Sequence, residues 1–262
     1  MVSINNNELI ITDSSEALYK AIADDFMQRA KQCVKEKGVF NVALSGGNTP
    51  KKLYSLLATE PYKSAIPWDK ILFFFGDERY VPADDRDSNY FMAHTYLFIH
   101  VPIPMQHVYM IPTHYQDPSR AAKDYAETIR ELLKIDSDQL PTFDLIYLGL
   151  GTNAHTASLM PGTDLVKSYA DSPEGKDKNQ ITASAWIEEL NMYRITLTPP
   201  AINNSRCIAF LVESAEKAHP VWQILEGPYD PINCPAQLIK ATHGKVLWFL
   251  DTDAAANLKG LQ

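Results

Sequence analysis

The sequence is poor in the residues that would mark a stapled, metal-bound or nucleic-acid-binding protein. Of its 262 residues only three are cysteine, Cys33, Cys207 and Cys234, an odd number at wide spacing with no CxxC pair. That excludes a disulfide framework and a zinc ribbon and leaves them as core thiols. The seven histidines include no pair at i, i+4 and no histidine-carboxylate signature, so no metal site is expected. Asp and Glu outnumber Lys and Arg 32 to 24, a net charge of −8, and no basic block occurs. The counterion release that drives nucleic-acid binding is missing, so no nucleic-acid partner is expected. No apolar stretch approaches the roughly 18 residues of a membrane span. The opening "MVSINNNELIITDSSEA" has no basic region leading into an apolar run, so a cytoplasmic location without membrane contact is expected.

What is present is ordinary for a globular chain, 45% hydrophobic and 21% charged, with no internal repeat or low-complexity tract. Asp13 precedes an amphipathic stretch with Glu16 in the capping-box position, Leu18, Ile22, Phe26 and Ala30 at spacing four, and Gly38 as a stop. A buried strand comes next at 39–44, with Thr49 as N-cap and Pro50 as first residue of a helix to about Ala58. Strands are then read at 70–76, 107–111, 143–151, 193–198, 206–213 and 245–250. Helices are read after Ser88, over 118–134 and from 215. The polar segment 167–180 reads as an exposed loop. Alternating strands and helices predict a doubly wound, Rossmann-like α/β fold, a mostly parallel sheet with helices on both faces, in one domain over 1–262.

In such sheets ligands bind beyond the carboxyl ends of strands, which puts the weight on the residues at the end of each apolar run. After 39–44 comes "SGGNTP", in which Ser45, Gly46, Gly47, Asn48 and Thr49 form a strand-to-helix turn suited to an anion, or simply a tight turn. After 70–76 comes Asp77-Glu78-Arg79, where Arg79 offers a forked donor for phosphate, or a solvated charge run. After 143–148 comes "GLGTNAHTASLMPG". Its glycines match a loose dinucleotide pattern, but Pro161-Gly162 leaves no room for the full helix and second strand that pattern needs. His155 at the mouth of that strand can serve as a general base, or cap a short helix over 156–160. Arg194 and Lys217 are uninformative singly; with Arg79 they make a three-cation phosphate pocket conceivable.

As a set, "LSGGNTP", "FFFGDERYVPADDRDSNY", "LGLGTNAHTASLMPG", "YRITLTPPAIN" and "EKA" occur in the order found in 6-phosphogluconolactonases, and the chain resembles that family from about residue 10 to 255. The resemblance implies a sugar-phosphate isomerase-like domain that hydrolyses 6-phosphogluconolactone in the pentose phosphate pathway without redox cofactor or essential metal. His155 would activate water, while the Ser45–Thr49 turn, Gly151, Arg79, Arg194 and Lys217 would hold the phosphosugar lactone. Asp77 falls where related enzymes keep a carboxylate near the reacting carbons. One departure is plain: the family reads G-x-D-G-H where this chain has Gly151-Thr-Asn-Ala-His155. Asn153 keeps an acceptor but loses a charge that would raise the histidine's pKa or orient its ring. Ala154 is tolerated at little cost only if that position needs no positive φ. The alternatives are an amino-sugar-phosphate isomerase or deaminase, disfavoured because "TASLMP" lacks a glutamate after the histidine, and a non-catalytic phosphosugar-binding protein. A monomer or weak homodimer is expected.

Overall fold

Five of the apolar runs read as strands lie side by side in one sheet. The computed structural model describes residues 2–5, 7–171 and 178–259. Its elements run β1 (Val2–Ile4), β2 (Asn7–Thr12), α1 (Ser15–Lys37), β3 (Phe40–Leu44), α2 (Asn48–Leu57), α3 (Tyr62–Ala65), β4 (Ile71–Phe75), β5 (Asp77–Arg79), α4 (Asn89–Tyr96), α5 (Pro118–Leu133), β6 (Leu145–Leu148), α6 (Asp164–Ala170), β7 (Thr182–Ile187), β8 (Met192–Leu197), α7 (Pro199–Asn203), β9 (Cys207–Val212), α8 (Ala218–Leu225) and β10 (Lys245–Asp251). The large sheet has the order β1-β2-β10-β9-β6-β3-β4. All its pairings are parallel except β1 with β2. From β3 the chain moves outward to β4, then returns past β3 to β6, β9 and β10. The strand order therefore reverses between β3 and β6, which opens a crevice at their carboxyl ends.

Local chemistry sets the elements. In α1, Leu18, Ile22, Phe26 and Ala30 are fully buried, and burying each larger one is worth about 1.5–3 kcal/mol. Its cap is Ser14 rather than Asp13: the Ser14 hydroxyl accepts from the Ala17 amide at 3.2 Å. Gly38 ends the helix at φ 82°, its amide donating to Val34. α1 and α2 pack together and reach β2, β3, β9 and β10, while α5 packs on β7 and β8.

Several readings need correction. Residues 193–198 do form a strand, but in a separate three-stranded antiparallel sheet, β5-β8-β7. Residues 107–111 form no strand; Val108 makes one bridge to Phe73, and the Tyr109 amide donates to the Phe73 carbonyl at 2.9 Å. The loop read over 167–180 is helical as far as Ala170, and 172–177 lie outside the described residues. The helix read from 215 begins as a 3-10 turn, Ala215–Lys217, before α8. Among the described residues no helix is long and apolar enough to cross a membrane.

Candidate active site

The glycine turn after β3 is built for close approach. A Cβ on Gly46 would lie 1.8 Å from Asn89 Oδ1, and Gly47 takes φ 109°, a backbone state costly for other residues. Gly47, not Thr49, is the N-cap of α2, and Pro50 is its third residue. The cap makes no side-chain hydrogen bond, so the first amides of a ten-residue helix remain open to an anion. Ser45 is buried, and its hydroxyl has no partner.

Gly76 carries the chain from the large sheet into the small one. Its amide donates to the Leu44 carbonyl at 2.8 Å, and its carbonyl accepts from Leu197 at 2.7 Å. The β5–β8 register then sets Arg79 directly opposite Arg194. Like charges across an antiparallel pair repel. The Nε atoms of both are buried without a partner, although Arg79 Nη1 donates to the Asp87 carbonyl at 2.7 Å. Burial pulls the Arg194 pKa down against the pull of Asp77. Asp77 is buried, accepts from Ser158 Oγ at 2.7 Å and Asn89 Nδ2 at 3.3 Å, and lies 3.8 Å from Arg194 Nη1. Its neighbour Glu78 accepts from the amides of Arg79, Asn89 and Tyr90 and from Ser88 Oγ. It thus anchors the start of α4 and with it Asn89. Burial pushes the Glu78 pKa up against those bonds.

The segment after β6 is a coiled loop, with no helix over 156–160: Thr156 bridges to Leu159 and Ala157 takes φ 48°. The dinucleotide pattern fails for want of that helix. Thr156 Oγ1 donates to the Gly149 carbonyl at 2.8 Å, and the Gly151 amide donates to the His155 carbonyl at 2.8 Å. A Cβ on Gly151 would stand 2.1 Å from His155 Nδ1, so only glycine leaves room for the imidazole. Asn153 Oδ1 accepts from the His155 amide at 3.3 Å and lies 2.5 Å from Nδ1. Burial drives the His155 pKa down to about 4; Asp77 opposes this, and Arg194, Lys217 and Arg79 add to it. Ala154 does sit at positive φ, 61°, so the condition for a cheap replacement of glycine is not met.

Lys217 approaches from the end of β9. Ser214 takes φ 86°, and its amide donates to both Asp251 carboxylate oxygens at 3.1 and 3.0 Å. Its carbonyl accepts from the Lys217 amide at 3.0 Å. Glu213 accepts from Tyr19, from Lys52 at 3.0 Å and from Thr49 at 3.3 Å. Burial would raise its pKa, but these donors bring it below the usual carboxylate value.

Ser45, Gly46, Gly47, Asn48, Thr49, Asp77, Arg79, Gly151, His155, Arg194 and Lys217 all line one cavity of about 700 Å³. Asn153 does not line it but touches it through His155. Sequence reasoning missed Asn89, Lys51, Lys52, Glu213, Glu216, Asp251 and Asp253 on the same wall. Glu213 and Asp251 stand at the ends of apolar runs, so the strand-end rule applied to the last two strands points to them. Among the described residues no group of three or more His, Cys, Asp or Glu side chains could hold a metal ion.

The cavity thus lies at the reversal point of a parallel sheet and is walled by cations, a helix start and one imidazole. The family model described as "Glucosamine-6-phosphate isomerases/6-phosphogluconolactonase" matches residues 13–248, and the chain belongs to that family. It is 38% identical over 233 residues to a 6-phosphogluconolactonase of Synechocystis, spanning 88% of this chain and 90% of the relative. A 6-phosphogluconolactonase of Nostoc is 33% identical, covering 95% and 97%. The solved 6-phosphogluconolactonase of Trypanosoma brucei superposes with a TM-score of 0.83 at 29% identity, covering 98% of this chain and 100% of that one.

Proposed function

We propose that the protein hydrolyses 6-phospho-D-glucono-1,5-lactone to 6-phosphogluconate, the lactonase step of the pentose phosphate pathway. The observation that carries this reading is the pairing of His155 Nδ1 with Asn153 Oδ1 at 2.5 Å, on the wall of a cavity shared with Ser45, Arg79 and Arg194. Asn153 Oδ1 already accepts the His155 amide, so the amide oxygen faces the ring and Nδ1 carries the proton. Nε2 is then a lone-pair base. The phosphate is held by the open amides of α2, Ser45 Oγ, Arg79, Arg194 and Lys217, which fixes the lactone ring against His155 and makes the attack effectively unimolecular. Water attacks the lactone carbonyl carbon as Nε2 takes its proton. The tetrahedral intermediate collapses with cleavage of the bond from that carbon to the ring oxygen, and the ring oxygen receives the proton from the imidazolium. One water is consumed, and a carboxylic acid and a hydroxyl are formed.

Isomerase or deaminase chemistry is less well supported. It moves a proton between adjacent carbons, and the nearest carboxylate, Asp77, is engaged by Ser158, Asn89 and Arg194. The loop from Gly149 to Gly162 supplies no carboxylate of its own. The same reading takes the chain as one catalytic unit, a monomer or weak homodimer, working without redox cofactor or metal. Lactone hydrolysis above the spontaneous background tests it. His155→Ala is expected to lose about 10²–10⁴-fold in kcat. Equal rates for the variant and the natural protein overturn the lactonase reading, and phosphosugar binding without turnover in the natural protein favours a sensor.

A further inference from the structure

The turn that holds the phosphate in this reading has little to hold it in place. Ser45 lies beyond the last ladder pair of β3, Leu44 with Phe75. Its amide and carbonyl both go to one side chain. The Ser45 amide donates to the Tyr54 hydroxyl at 3.2 Å, and that hydroxyl donates to the Ser45 carbonyl at 2.8 Å. A single phenol thus stands where a neighbouring strand would be. Tyr54 is fully buried within α2, forms no part of the cavity wall, and burial keeps its hydroxyl protonated by raising its pKa far above normal.

The same device recurs one strand away. Tyr125 of α5 accepts from the Phe75 amide at 2.8 Å and donates to the Phe75 carbonyl at 3.2 Å. There it is redundant. Gly76 is tied to Leu44 and Leu197 by its own backbone groups, and the next residues along the chain are laddered to β8. Among the described residues no comparable bonds reinforce Ser45 and Gly46; what fixes them is Tyr54 and the packing of Asn89 against Gly46.

We propose that Tyr54 is a positioning residue for the anion turn: its hydroxyl fixes the Ser45 backbone, and through it the direction of Ser45 Oγ and the open amides at the start of α2. This role rests on the phosphate-binding function proposed for the turn, and Tyr125 supplies the control. In the full chain, Tyr54→Phe removes a buried hydroxyl serving one amide and one carbonyl, and Tyr125→Phe one serving one amide and the carbonyls of Phe75 and, at 3.4 Å, Tyr109; both should lower Tm. Only Tyr54→Phe is expected to weaken inorganic phosphate binding, measured by calorimetry, and raise KM, both by about five- to tenfold, the size of one net hydrogen bond. Its kcat should stay within about twofold, since His155 is untouched. Amide hydrogen exchange at 45–48 should accelerate in Tyr54→Phe and not in Tyr125→Phe. Phosphate affinity within about twofold of the natural protein in Tyr54→Phe, or an equal loss in both variants, overturns the proposal and leaves both phenols purely structural. Natural protein that binds no phosphate overturns instead the phosphate reading, and exchange at 45–48 still tests the clamp.

Discussion

An imidazole that stays neutral down to about pH 4 is available as a base throughout the physiological range, though a weak one. Burial and the charges of Arg194, Lys217 and Arg79 disfavour the proton, and Asp77 only partly offsets them. In the free protein kcat/KM is therefore expected to rise through an inflection near pH 4 and stay level above it, as measured by a pH series corrected for spontaneous opening. Asn153→Asp adds a negative charge at Nδ1, so the inflection should move to higher pH and the plateau rate should increase; an unmoved inflection would show that the carboxamide does all the orienting. Because the unfolded chain takes up the proton at the ordinary histidine pKa of about 6.5, this site loses stability as pH falls from there toward 4. One residue earlier, Ala154 in the left-handed region carries roughly 1–2 kcal/mol of strain. Ala154→Gly recovers it less about 0.4–1 kcal/mol of unfolded-chain entropy, and should raise stability by about 0.5–1 kcal/mol in denaturant melts. His155 was legible in the sequence because a strand end aims it at the crevice. The sign of φ at Ala154 was not, since tertiary bonds impose it: the Ala154 carbonyl accepts from Ala236, more than eighty positions on.

At the scale of elements, β5 and β8 are a pair that resists its own pairing. Three residues of β5 bring Arg79 against Arg194, and among the described residues a carboxylate pairs with Arg194, Asp77 at 3.8 Å, but none with Arg79. Arg79→Gln relieves the repulsion while giving up the bond to the Asp87 carbonyl. Without added anion its stability should stay within about 1 kcal/mol of the natural protein. In phosphate, compared with chloride at equal ionic strength, the natural protein should gain Tm by mass action and the variant should gain much less. Equal gains would remove Arg79 from the anion site. Long elements such as α1, α5 and β9 were legible from their periodicity and caps. β1, β2, β5 and β7 were not: they are short or half-polar, and pairing with distant strands rather than local pattern makes them strands. The same reason hid the small sheet, because 193–198 reads identically whichever sheet receives it.

For the whole molecule, the reversal of strand order between β3 and β6 decides where segments from residues 45, 77, 155 and 217 converge. The strand-end rule located most of the wall in advance, and what it missed, chiefly Glu213 and Asp251, lay at strand ends where it had not been applied. Those omitted residues give the cavity a mixed character: Glu213, Glu216, Asp251 and Asp253 share its lining with the cations, Glu213 paired with Lys52 at 3.0 Å and Glu216 with Lys217 at 3.1 Å. For the proposed reaction this bears on turnover. Substrate and product carry the same phosphate, so the cationic grip binds both and cannot by itself favour either. Opening the lactone adds a carboxylate to a molecule whose phosphate already carries about −1.5 to −2, in a chamber whose lining includes several carboxylates of its own. The uncharged ring is accommodated there and the carboxylate is repelled, so the bond cleavage that completes the chemistry also starts the departure of the product.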